Sequence, residues 1–82
     1  MKKALLVPIY QPESGILPYL KQFKEGDFDY FLVVDDGSGE KYQDRFEEVK
    51  KKTLFAVLSY PNNRGKGGAL KAGIARLLEI DP

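Results

Sequence analysis

Eighty-two residues make one small domain at most, of ordinary globular composition at 43% hydrophobic and 30% charged. A formal net charge of +1 gives no reason to bind nucleic acid, and the absence of cysteine and histidine removes disulfides, zinc centres of the usual kind, cysteine nucleophiles and every Ser-His-Asp triad. An all-oxygen metal site stays open, no apolar run reaches the roughly 18 residues of a membrane span, and a cytoplasmic location is the default expectation.

Met1-Lys2-Lys3 and the apolar run after it look like a short signal peptide, but the run leads into Pro12 and Glu13 without a small-residue cleavage site. Ala4 to Tyr10 therefore reads as a first strand, and Gln11 to Gly15 as a turn. Ile16, Leu17, Leu20 and Phe23 recur at helical spacing, with Pro18 tolerated in the first turn and Gly26-Asp27 ending the helix. Phe28 to Val34 is a second strand whose apolar run lacks alternation, as in a parallel sheet buried on both faces. Ser38 is the expected N-cap of a helix from about Glu40 to Lys50, with Tyr42, Phe46 and Val49 inside and three lysines at its C-terminal end. Thr53 to Ser59 is a third strand and Tyr60 to Arg64 a loop. Gly65 to Ile80 is a third helix, its buried stripe expected at Leu70, Ile74, Leu77 and Leu78.

The order β-α-β-α-β-α predicts a three-layer α/β domain, half of a doubly wound, Rossmann-like parallel sheet with right-handed crossovers and strand order 3-2-1. In that order the first strand is an open apolar edge, through which two copies could pair as a homodimer. The sequence stops at Asp81-Pro82, where a fourth strand is expected, so the chain reads as truncated.

Topology brings three segments to the C-terminal edge of the sheet: Pro8-Ile9-Tyr10-Gln11, Asp35-Asp36-Gly37-Ser38, and Asn62 to Ala69 with Arg64, Gly65, Lys66 and Gly67. Tyr10 offers a face for a base and the aspartates offer acceptors. The glycine-rich helix start lets backbone N–H groups approach a phosphate beside two cations. Each segment alone has a plainer reading: a packed tyrosine, a capped turn, tight helix–sheet packing. The conjunction on one edge is what points to a nucleoside diphosphate. Two adjacent carboxylates also repel, so donors or cations are expected beside them. Neither the P-loop nor the dinucleotide fingerprint is present.

These three motifs resemble, in order and spacing, the N-terminal half of the family 2 glycosyltransferases. The third is most similar to the branch that makes polyprenyl-phosphate (dolichol-phosphate) hexoses. The resemblance implies a GT-A fold and a UDP- or GDP-sugar partner, with Mg²⁺ or Mn²⁺ as cofactor of the full-length enzyme. By position it implies that Pro8 and Tyr10 frame the base, that Val34 and Asp36 line base and ribose, and that Asp35 holds the turn or the ribose. Lys66 would face the diphosphate. Gln11 stands where the family commonly has Asn, and Pro12 displaces the following acid to Glu13, kept among the nucleotide-sugar contacts. The family's metal-binding Asp-x-Asp, catalytic base and acceptor site have no counterpart before Pro82. No catalytic or metal-ligating residue is therefore assigned, no metal is expected on this chain alone, and the chain alone is expected not to transfer sugar. The alternatives are a non-catalytic nucleotide-binding subunit, a structural dimerising module, and a sugar nucleotidyltransferase; the last lacks its basic glycine-rich loop after the first strand.

Overall fold

Three strands, β1 (Ala4–Ile9), β2 (Tyr30–Asp36) and β3 (Ala56–Tyr60), build a parallel sheet in the computed structural model, which describes residues 2–82. Met1 of the lysine-bearing start lies outside the described residues. Hydrogen bonding gives the order β1-β2-β3. The 3-2-1 order written from the sequence also has β2 in the middle; any continuation beyond β1 lies outside this chain. The register sets Ile9 beside Asp35 and Asp36 beside Tyr60, so the ends of all three strands form one rim.

Successive strand residues face opposite sides, and this period sorts the core into two layers. On one side Ile9, Val33 and Phe55 pack against Leu20 of α1 (Ile16–Lys21) and Phe46 and Val49 of α2 (Gln43–Lys52). On the other, Leu32 and Val34 pack against Ala69 of α3 (Gly65–Ile80). Val33 and Val34 are both fully buried, as the non-alternating apolar run of β2 requires. Phe23, Phe31 and Phe55 meet edge to face or tilted, with the Phe31 and Phe55 ring centroids 5.2 Å apart.

Several expected boundaries move. β2 begins at Tyr30 rather than Phe28, and α1 ends at Lys21, so Phe23 enters the core from beyond the helix. Ser38 does not cap α2. A 3-10 turn, Glu40–Tyr42, precedes that helix, Gly39 turns the chain with φ +96°, and no side chain caps either element. The Ser38 hydroxyl serves another loop instead.

The stripe of α3 also differs from expectation. Ala69 and Gly73 are its buried residues, whereas Ile74 and Leu78 are about half exposed. A Cβ at Gly73 would lie 2.4 Å from Leu6 Cδ1 and 3.0 Å from Val34 Cγ2. The helix therefore rests on the sheet by its small residues, and its large ones project past the free edge of β1. There they line, with Ala4, Leu6 and Leu77, a cavity of about 490 Å³.

Candidate functional site

The site grows out of the way β2 ends. Asp35 and Asp36 are adjacent and almost fully buried, yet the strand's period turns them to opposite faces. Asp35 accepts from the Ser38 N–H at 3.0 Å and from Gln43 Nε2 at 3.2 Å, which ties the start of α2 to the strand. Asp36 accepts from the Tyr60 hydroxyl, from the Arg64 N–H at 2.9 Å and from Asn63 Nδ2 at 2.9 Å, which ties down the loop into α3. Among the described residues no buried side-chain polar atom lacks a partner. The donors expected beside the paired charges are thus neutral groups, one set for each carboxylate.

The electrostatics follow from these contacts. The Tyr60 hydroxyl, the Arg64 and Gly65 backbone N–H groups and the Arg64 charge hold the Asp36 carboxyl below the usual carboxylate range, outweighing the opposite effect of burial. Burial and the Asp36 carboxylate in turn push the Tyr60 phenol up to about 12. The Arg64 guanidinium lies 4.1 Å from the Tyr60 ring centroid, a cation–π contact on the same loop.

Gly37 lets the rim close. It has φ +68°, and a Cβ there would lie 2.2 Å from the Asn63 backbone nitrogen and 2.4 Å from the Asn62 carbonyl carbon. Only glycine permits both the left-handed turn and the passage of the β3–α3 loop beside it. On the other flank, the Ser38 hydroxyl accepts the Gln11 N–H at 2.8 Å, which fixes the loop after β1. The turn after β2 is therefore bonded or packed to both neighbouring loops.

Pro8, Ile9, Tyr10, Asp36 and Lys66 line one open cleft of about 340 Å³ on this rim. Tyr10 is 52% exposed there. Gly67, in the first turn of α3, faces open space where a Cβ would meet nothing within 4 Å. The N-cap residue Arg64 makes no side-chain cap bond and no acidic residue lies in the first turn; the Asp36 carboxylate instead accepts the Arg64 N–H at the start of the helix.

A family model for glycosyl transferase family 2 matches residues 4–77. The chain belongs to that family. It is also 37% identical over 78 residues to uncharacterized protein MJ1222 of Methanocaldococcus jannaschii, a match covering 95% of this chain and 30% of that protein. The chain thus spans less than a third of the curated relative it matches. No solved structure matches it.

Against the family resemblance, the cleft gathers Pro8, Tyr10, Asp36 and Lys66 and leaves the other assigned residues elsewhere. Val34 is core beneath α3, and Asp35 lines a separate cleft with Gln43, Ser59 and Pro61. Glu13 lies beside Arg45 and Glu48, toward α1 and α2. The Arg64 side chain is stacked on Tyr60, Gly65 opens α3 with φ +79°, and Gly67 borders the free first turn. Sequence reasoning missed Tyr60, Asn63 and Ser38 as the groups that hold the rim. The pairing of Asp36 with Tyr60 becomes visible only once the strand register is known.

The divalent ion that the resemblance implies does not fit the residues present. Among the described residues no three Asp, Glu, His or Cys side chains cluster. Asp35 and Asp36 diverge, and protein donors occupy both carboxylates.

Proposed function

We propose that this member of glycosyl transferase family 2 is the donor-binding part of a hexosyltransferase, and that its Tyr10–Asp36–Lys66 cleft takes the nucleoside diphosphate of a UDP- or GDP-sugar. The observation that carries the reading is the cleft itself, in which an aromatic face, an acidic acceptor and a cation converge at the C-terminal edge of a parallel sheet. Stacking on Tyr10 holds the base. Asp36, which lines the cleft, is the acceptor for a base N–H. Lys66 and the N–H groups of α3 that follow Gly65 face the diphosphate, where helix N–H groups favour anions. The acceptor is a polyprenyl phosphate or a glycan, the former favoured by the Asn63 to Leu70 motif. Bound to its donor, this chain alone does not transfer the sugar: among the described residues no group of three Asp, Glu, His or Cys side chains stands together to hold a metal against the leaving diphosphate.

The test is titration with UDP and with GDP, with and without Mn²⁺, followed by NMR. Shifts centred on Tyr10, Asp36 and Lys66 are expected. Indifference to both nucleotides overturns the reading, and turnover of a UDP- or GDP-sugar by the isolated chain overturns its last clause. Tyr10→Ala is expected to cost about 1–3 kcal/mol of affinity, the worth of one base–aromatic stack.

A second reading, assembly through the free edge of β1, is favoured by the apolar groove beside it, with Ile74 52% and Leu78 47% exposed. Sedimentation velocity of the wild type and of Leu78→Glu tests it: a dimer that the charge dissociates supports pairing there, and a monomer at all concentrations ends it.

A further inference from the structure

The loop after β1 carries a feature that nucleotide contacts alone do not explain. Gln11 is the one described non-glycine residue with positive φ, +48°, and its side chain is exposed. A left-handed backbone is unfavourable for a residue with a Cβ, so something must hold it. Its N–H donates at 2.8 Å to the Ser38 hydroxyl, which is 6% exposed. The Ser38 backbone is itself fixed, since its N–H donates to the buried Asp35 carboxylate at 3.0 Å.

The peptide so held is the one joining Tyr10 to Gln11. Strand pairing through Ile9 fixes the chain on the N-terminal side of Tyr10. The Ser38 bond fixes it on the C-terminal side. With both flanking peptides fixed, the direction in which the Tyr10 Cα–Cβ bond leaves the backbone is set as well. That direction sends the ring into the cleft with Asp36 and Lys66.

We propose that Ser38 is a positioning residue for nucleotide binding: by accepting the Gln11 N–H it keeps Gln11 left-handed and presents the Tyr10 ring to the base. The inference rests on the reading of the cleft as a nucleoside-diphosphate site, but its structural half is measurable without any nucleotide. It goes beyond helix capping, the role the sequence pattern suggests for this serine. The bond also couples the loop that stacks the base to the turn that carries the acceptor, so both move as one unit.

The experiment uses the full 82-residue chain and four variants: Ser38→Ala, Gln11→Pro, Gln11→Gly, and Ser38→Ala with Gln11→Gly. Proline at 11 removes the N–H and forbids positive φ without touching the buried serine, so it probes the same device from the exposed side. Glycine at 11 accepts positive φ without support. In the free protein, Ser38→Ala and Gln11→Pro are expected to abolish the NOEs between the Tyr10 ring and cleft residues, and Ser38→Ala to speed exchange of the Gln11 amide. With UDP or GDP as probe, both are expected to bind about five- to tenfold more weakly, the worth of one hydrogen bond. Gln11→Gly is expected to bind as wild type, and the double variant to regain most of the loss. A general loosening of the turn would not be rescued by glycine at 11, so a double variant no better than Ser38→Ala overturns the proposal. Unchanged Tyr10 NOEs and Gln11 exchange in Ser38→Ala overturn it equally. If wild type binds neither nucleotide while the NOEs respond as expected, the nucleotide reading falls and the positioning of Tyr10 by Ser38 stands.

Discussion

Gly37→Ala is the sharpest test of how the rim is assembled, because two separate costs meet at one atom. The backbone has φ +68°, and a left-handed conformation costs an L-residue with a Cβ roughly 1–2 kcal/mol. The new methyl would also lie 2.2 Å from the Asn63 nitrogen and 2.4 Å from the Asn62 carbonyl carbon. These are backbone atoms, so no rotamer change relieves the contact and the β3–α3 loop must move; such overpacking costs about 1–3 kcal/mol. The expected loss is therefore about 2–5 kcal/mol, a large part of the roughly 4–12 kcal/mol that a domain of this length commands. Gly65→Ala is the control. It has a comparable φ of +79°, but a Cβ there meets nothing within 4 Å, so only the strain of about 1–2 kcal/mol applies. Urea denaturation of both variants, read by circular dichroism at constant m, gives the two losses. If they agree within about 0.5 kcal/mol, the tight passage of Asn62-Asn63 over Gly37 is refuted.

Gly73→Ala should gain less in the same assay than the about 1 kcal/mol that helix propensity offers, because its methyl makes Leu6 and Val34 shift; a variant stabilised by the full amount would show that α3 does not rest so closely on the sheet. Phe46→Ala, at a side chain only 2% exposed, should cost about 3–5 kcal/mol. The pH profile has two limbs. Asp36 is lowered in the fold, so its contribution is present above the ordinary carboxylate pKa of about 3.9 and is lost as pH falls through the lower folded value. Asp36→Asn should flatten that acid limb, measured as the denaturation midpoint against pH. Tyr60 is raised to about 12, so its contribution is full below the ordinary phenol value of about 10 and is lost as pH climbs from there through the folded value. Tyr60→Phe should diminish this alkaline limb, to which Tyr30, raised by its hydrogen bond to Asp81, also contributes, and the latest phenolate absorbance step of the wild type should vanish in that variant. A tyrosine titration with no late step would contradict the burial of Tyr60 against Asp36.

What the sequence made legible was the part governed by local pattern. The run from Phe31 to Val34 announces a central parallel strand, and the alternation of strands and helices announces the three layers. The three rim segments could be placed because each follows a strand. The lost parts depend on contacts between segments. Ser38 looks like a cap because serine before a helix usually is one, but here Gln11 reaches it first from 27 residues away. Ile74 and Leu78 look like core because apolar spacing does not show where the sheet ends, and β1, the edge strand beneath α3, leaves them overhanging. Glu13, the acid that Pro12 displaces from the family's position, lies beside Arg45 and Glu48, where the buried Pro12 carbonyl accepts from Arg45. In each case the deciding fact lies in another segment of the chain.

The Asp35-Asp36 pair shows how the same physics gives a site from a motif that reads as repulsive. Side by side in a loop, two carboxylates would oppose each other's ionisation. On a strand they face opposite layers, and each becomes an acceptor for a different loop. Asp35 gathers the turn into α2, and Asp36 gathers Tyr60, Asn63 and the start of α3. Most of the carboxylate bonding capacity at this edge is therefore spent on the protein itself. That gives a rim whose donors and acceptors are already oriented, so a ligand orders little on arrival. In the proposed reading the affinity comes from the exposed ring of Tyr10, the Asp36 carboxylate at the cleft, the Lys66 ammonium and the N–H groups of the first turn of α3. An aromatic face, an acceptor and a cluster of anion-seeking groups match a base and a diphosphate. In that reading they offer nothing that distinguishes one hexose from another, and discrimination between sugars falls to groups other than these.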